Sequence, residues 1–248
     1  MNAAAAVISL FPGLAIGSFL NVVASRLPLK RSISRPRSAC MHCGTEIRPR
    51  DNVPVLSYVL LRGRCRACAA PIGWRYPAVE IATAVLIAAC VLDFGVTVRA
   101  LAACVFCVAL VAVSATDLER RIVPNRIVLP ASAAVLVLNL IWHPTAVWPI
   151  AGLGAALFFF LAALAYPRGM GMGDVKLALL VGVAVGKPTP IAIFLALVLA
   201  LVPSAVLVAR HGSAARKMKI PFAPFLALGG LIGLFAGHAL LHWYLGLT

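Results

Sequence analysis

Of the 248 residues, 62% are hydrophobic and only 12% are charged, with a mean hydropathy of +1.01. These values exclude an ordinary soluble domain and point to an all-α integral membrane protein. A net charge of +15 would suit a nucleic-acid surface. In a membrane protein, however, basic residues mostly report orientation, so their positions decide.

Apolar windows of about 20 residues predict about eight transmembrane helices: Ala3–Val23, Pro77–Leu92, Val98–Thr116, Ile127–Trp142, Val147–Tyr166, Val175–Gly186, Ile191–Ala209 and Phe222–Leu245. Breaks fall at Pro144, Pro167-Arg168-Gly169 and Lys187-Pro188. The first window is read as a retained helix. Val23-Ala24-Ser25 resembles a cleavage site, but no basic segment precedes it. The sixth window is short, about 18 Å at 1.5 Å per residue. It must borrow from the glycine-rich segment before it or be re-entrant.

With the N-terminus outside, 20 of the 22 basic residues fall on inner loops and their borders, leaving Arg99 and Lys187 outside. That bias supports an N-out topology under the positive-inside rule. The charge then reads as a topological signature, helped by anionic membrane lipid at the inner leaflet, and no nucleic-acid partner is expected.

The loop after the first helix carries Cys40-Met41-His42-Cys43 and, 21 residues later, Cys65-Arg66-Ala67-Cys68. Two C-x2-C pairs on tight knuckles can present four thiolates tetrahedrally to Zn²⁺, and nearby Arg and Lys favour the thiolate form. A loop with few large apolar residues cannot build its own core, so a structural metal at Cys40, Cys43, Cys65 and Cys68 is expected to fold it. Disulfides are disfavoured because the charge map puts the loop in a reducing compartment. Cys104 and Cys107 lie in an apolar window and read as packing residues. His42 is a reserve ligand that four thiolates make unnecessary.

The chain has seven Asp and Glu, and two of them interrupt apolar segments. A carboxylate within a membrane helix costs roughly 2.5–3.5 kcal/mol. Asp117 ends the third window and Asp174 opens the sixth, so the charge map brings both to the inner face. Two neighbouring carboxylates share a proton, one serving as base toward a water and the other as acid toward a scissile amide. Gly171 and Gly173 permit a tight backbone and a close helix approach, which would let Asp174 reach its partner. The structural alternatives are a helix cap for Asp174 and pairing of Asp117 with Arg120 or Arg121.

Gly171-Met172-Gly173-Asp174-Val175-Lys176 resembles the GxGD signature of the type IV prepilin peptidases, membrane aspartyl proteases of pilus and type II secretion systems. The resemblance covers nearly the whole chain. It includes Gly17-Ser18-Phe19-Leu20-Asn21-Val22 with Arg26-Leu27-Pro28, the double cysteine pair with Asp51-Asn52-Val53-Pro54 and Ser57 between, Arg75-Tyr76-Pro77-Ala78-Val79-Glu80, and Pro221-Phe222-Ala223-Pro224-Phe225. It implies cleavage of the basic leader of prepilins or pseudopilins at the cytoplasmic face of a bacterial inner membrane, with Asp117 and Asp174 as the catalytic pair. It also implies methylation of the new N-terminus with S-adenosylmethionine. No G-x-G-x-x-G occurs, so that cofactor rests on the resemblance alone. Many members have Pro-Asp where this chain has Pro124-Asn125.

On this reading residues 1–96 form a methyltransferase-associated region with two helices and the tetracysteine loop, and residues 97–248 form the peptidase. Three alternatives compete. A presenilin-like peptidase would place its aspartates deeper and has no use for the cysteine loop. A metal or ion transporter would use Asp117 and Asp174 as cation ligands. A non-enzymatic scaffold would tolerate replacement of both.

Overall fold

The structure, a computed structural model, describes residues 2–166, 170–212 and 221–246. The expected break at Pro167-Arg168-Gly169 and the basic residues Arg216, Lys217 and Lys219 lie outside them. The chain forms two compact units, Met1–Val96 and Thr97–Thr248. Among the described residues the regular structure is helical, with only two isolated bridges besides.

In the first unit, α1 (Asn2–Arg26) and α3 (Arg75–Phe94) are apolar nearly all round, as membrane helices are. They pack antiparallel through small residues. A Cβ added at Gly13 would lie 2.7 Å from Ala84 Cα, and one at Gly17 would lie 2.6 Å from Glu80 Cα, so only glycine permits this approach. The loop between them contains the short α2 (Leu56–Leu60) and two knuckles of matching design. In the first, the Cys40 amide donates to Thr45 O and the Gly44 amide to Cys40 O. In the second, the Cys65 amide donates to Ala70 O and the Ala69 amide to Cys65 O. Gly44 and Ala69 occupy equivalent positions at φ 72° and 56°.

The second unit contains α4 (Val98–Arg120), α5 (Asn125–Trp142), α6 (Val147–Ala165), α7 (Met172–Val185), α8 (Thr189–His211), α9 (Ala223–Phe235) and α10 (Gly237–Leu245). Thr97 Oγ1 caps α4 by accepting from the Ala100 amide at 3.1 Å. Buried α7 is pressed against α6. A Cβ on Gly182 would lie 2.5 Å from Gly152 Cα, where backbone rather than a flexible side chain must yield. Gly182→Ala is therefore expected to cost about 1–3 kcal/mol by overpacking, measurable as a lower unfolding temperature in detergent.

All eight apolar windows fold as helix, but among the described residues six helices (α1, α3, α4, α5, α6 and α8) are long and apolar enough to cross a membrane. The count rises to seven if α9 and α10, bent by 73°, form one broken span. The expected eighth window thus divides at Ala236. The sixth borrows only Met172, Gly173 and Asp174 and stays at 14 residues, about 21 Å at 1.5 Å per residue.

The last carbonyls of so short a helix need donors, and a polar clamp supplies them. Arg99 Nη1 donates to Ala184 O at 3.0 Å and to Asn139 Oδ1 at 2.8 Å, while Asn139 Nδ2 donates to Val183 O at 2.8 Å. Trp142 and Trp148 flank the guanidinium at 5.5 and 5.2 Å, a cation–π arrangement. Arg99, left on the outer side by the charge count, is 6% exposed. Arg99→Ala leaves Asn139 Oδ1 and Ala184 O without this donor, at roughly 1–3 kcal/mol each. A large drop in thermal stability is expected, with Arg99→Lys recovering only part of it.

Candidate functional site

Asp117 is carried by the last turn of α4 and is 6% exposed. Its Oδ2 accepts from the backbone amide of Ala223 at 3.1 Å. That amide is one of the unpaired donors at the start of α9, where the helix dipole also favours negative charge. Asp117 therefore caps a helix 106 residues further along the chain. The structural alternative, pairing with Arg120 or Arg121, gives no ion pair within 4.0 Å among the described residues, although the Arg121 charge acts on Asp117.

Asp174 is half-buried in the first turn of α7. Its Oδ2 accepts from the Gly171 amide at 3.3 Å, and its own amide donates to Gly171 O at 3.0 Å. The cap residue is Gly171; Asp174, itself the cap in the structural alternative, takes part from three residues further on. The Asp117 charge acts on Asp174, so the two carboxylates lie within electrostatic reach of each other. Gly173 packs closely against Val123, in the segment that follows α4. A Cβ there would lie 2.8 Å from Val123 Cβ, so a side chain would push the start of α7 away from the segment that follows α4. Beside the pair, Lys176 Nζ donates to Asn125 Oδ1 at 2.9 Å. The amide at position 125 thus keeps a hydrogen bond where an acid would make an ion pair.

Sequence reasoning missed the Ala223 amide, because a backbone donor carries no side-chain signature. It missed the Lys176–Asn125 contact because the two residues are 51 apart.

In the first unit, Cys40, Cys43, Cys65 and Cys68 converge with all four Sγ atoms within 4.8 Å of one another. The Cys40 and Cys68 sulfurs are 3.8 Å apart. A tetrahedral site with Zn–S bonds of 2.3 Å has sulfur–sulfur edges of about 3.8 Å, so the four are positioned to bind a metal ion. His42 is not among them; its backbone amide donates to Cys40 Sγ at 3.4 Å. Hydrogen bonds from Thr45 bring the Cys43 thiol down to about 6, and the Cys68 amide lowers Cys65. At Cys68 the Ala70 amide favours the thiolate, yet desolvation and the three neighbouring cysteines push the thiol up to about 11. Thiolates this crowded repel one another, and a bound cation relieves that repulsion. Asp51 accepts three hydrogen bonds from Arg66 Nε and Nη2 at 2.7–3.0 Å, tying the second knuckle to the loop between the pairs.

The first unit also buries polar groups away from the cysteines. Glu80 is 8% and Asn21 5% exposed. Glu80 Oε2 accepts from the Val55 amide at 2.7 Å, Asn21 Nδ2 donates to Tyr76 O at 3.0 Å, and Asn21 Oδ1 has no partner.

Residues 11–94 match the bacterial peptidase A24 N-terminal domain, and residues 104–205, which include both aspartates, match the type IV leader peptidase family. A Burkholderia pseudomallei (strain 1026b) protein named prepilin leader peptidase/N-methyltransferase is 38% identical over 259 residues, covering 91% of this chain and 83% of its own. Proteins of the same name from Bacillus subtilis (strain 168) and Pseudomonas aeruginosa are each 35% identical. The alignments cover 94% of this chain and 95% and 91% of theirs, respectively. No solved structure matches. Both halves of the chain and most of its length agree with one assignment: this multi-pass membrane protein belongs to the type IV leader peptidase family.

Proposed function

We propose that this chain is a membrane aspartic endopeptidase that removes the leader of prepilins or pseudopilins and methylates the N-terminus it exposes. The observation that carries the reading is Asp117 and Asp174 within electrostatic reach of each other, in a chain resembling enzymes of that name along most of its length. One carboxylate takes a proton from water as the water attacks the scissile carbonyl. The other gives a proton to the departing amine, and no covalent intermediate forms. The Ala223 amide keeps Asp117 oriented throughout, and Gly171 does the same for Asp174. The transporter alternative has no counterpart among these relatives, and the tetracysteine loop argues against the presenilin-like one.

Cys40, Cys43, Cys65 and Cys68 hold a structural Zn²⁺ that folds the loop. S-adenosylmethionine, when bound, supplies the methyl group. The charge map supports a bacterial inner-membrane location with the N-terminus outside and the aspartates at the cytoplasmic face. A prepilin helix with its basic leader inside presents its scissile bond at that same interface. Co-expression with a prepilin, followed by mass analysis of the product, tests the reading. Wild type is expected to yield a shortened, N-methylated chain. A product that keeps its leader would reject the peptidase.

A further inference from the structure

Between α1 and α3 the polar groups number more acceptors than a helix pair needs. Gly17 lies against the Glu80 backbone, and one turn further along α1 Asn21 reaches the carbonyl of Tyr76, one turn before Glu80. The Ser18 hydroxyl lies close enough to the Glu80 carboxylate to favour its charge, and the Val55 amide donates to Glu80 Oε2 at 2.7 Å. Asn21 is 5% exposed and its Oδ1 has no partner. A carboxylate and an amide oxygen therefore lie on neighbouring turns of an apolar helix pair.

A purely structural account of these residues is weak. Burying a carboxylate is costly, and well-packed apolar residues hold helices together at least as well. Nor does Glu80, which takes the Val55 amide, shape the loop over it alone. Ser57 Oγ already accepts from the Val53 amide at 2.9 Å and donates to Arg50 O at 3.2 Å. A surplus of buried acceptors, one of them anionic, suits a compact organic cation, whose charge the carboxylate offsets and whose polarised C–H or N–H groups the oxygens accept.

We propose that Glu80, Ser18 and Asn21 form the binding site for the onium group of the methyl-transfer reaction, either the sulfonium of S-adenosylmethionine or the α-ammonium of the processed chain. This rests on the methyltransferase reading above. In the transfer, the ammonium gives up a proton to solvent water and the nitrogen lone pair forms a C–N bond to the methyl carbon. The electron pair of the broken C–S bond stays on sulfur, leaving a neutral thioether. A carboxylate that binds the sulfonium therefore loses its attraction once the methyl has gone, which favours release. One that binds the ammonium holds the amine where its proton can leave.

The test compares wild type with Glu80→Gln, which keeps an acceptor for the Val55 amide and removes the charge. Two quantities are read on detergent-purified protein. One is equilibrium binding of S-adenosylmethionine against its uncharged product S-adenosylhomocysteine. The other is the dependence of methylation on the concentration of a processed prepilin peptide, with leader cleavage as the control for folding. For a sulfonium site, wild type prefers the charged donor and Glu80→Gln loses that preference by about 10-fold or more, the range of a charged hydrogen bond. For an ammonium site, donor binding is unchanged and the peptide concentration needed rises by a similar factor. In both cases cleavage stays at the wild-type rate and Asn21→Ala moves the same quantity. Unchanged donor binding and peptide dependence in Glu80→Gln would overturn the site while leaving the methyltransferase reading intact. Loss of cleavage together with methylation would also overturn it, as the mark of a structural residue. A wild type that binds no donor and methylates nothing would reject the methyltransferase reading, and this site with it.

Discussion

Asp117→Asn and Asp174→Asn are each expected to lower the rate of leader cleavage by about 10³-fold or more, the middle of the range for loss of general acid–base catalysis. Neither change should unfold the protein. An asparagine oxygen at 117 still accepts from the Ala223 amide, and one at 174 still accepts from Gly171. Initial rates on a purified prepilin, measured alongside unfolding temperatures, separate chemistry from stability. Because the carboxylates act as a unit, the double variant should be about as slow as either single one rather than multiplicatively slower. A single variant working at the wild-type rate would refute the dyad.

Metal removal has the second large effect. Elemental analysis of freshly purified protein is expected to find about one zinc per chain, with loss of the metal in the Cys40→Ser, Cys65→Ser variant. Structural zinc in finger peptides contributes on the order of 10–16 kcal/mol, and this loop has little else to fold it. Met41 is 94% exposed, and among the large apolar residues of residues 31–73 none is buried. Chelation should therefore make residues 31–73 sensitive to proteases while the helices on either side stay resistant. Protons compete with the metal for thiolates, so affinity should fall as pH is lowered. Protein that purifies without metal and keeps a protease-resistant loop would contradict the assignment.

Different parts of the molecule were legible in the sequence for different physical reasons. The tetracysteine cluster was readable because ligand spacing is local: each pair sits on one knuckle, so only the meeting of two knuckles was left to the fold. Asp117 and Asp174 stood out because a carboxylate within an apolar segment is costly, and counting basic residues gave them a common side. The burial of Arg99 was not legible: counting basic residues assigns a side of the membrane and not an exposure, and this one is enclosed by two tryptophans and the end of α7. Hydropathy windows also measure apolarity rather than backbone continuity, so they joined α9 to α10 across the bend at Ala236. The capping of α9 by Asp117 joins residues 106 apart, and no periodicity encodes such a contact.

The clamp on α7 has a consequence in angular terms. Its C-terminal carbonyls are gripped by Arg99 and Asn139, so the bearing of Asp174 about the helix axis is counted upward from that fixed end. At 3.6 residues per turn, inserting a single residue between Asp174 and Gly182 would turn the carboxylate by about 100° and raise it by about 1.5 Å, swinging it away from Asp117. The number of residues between clamp and carboxylate thus behaves as a phase.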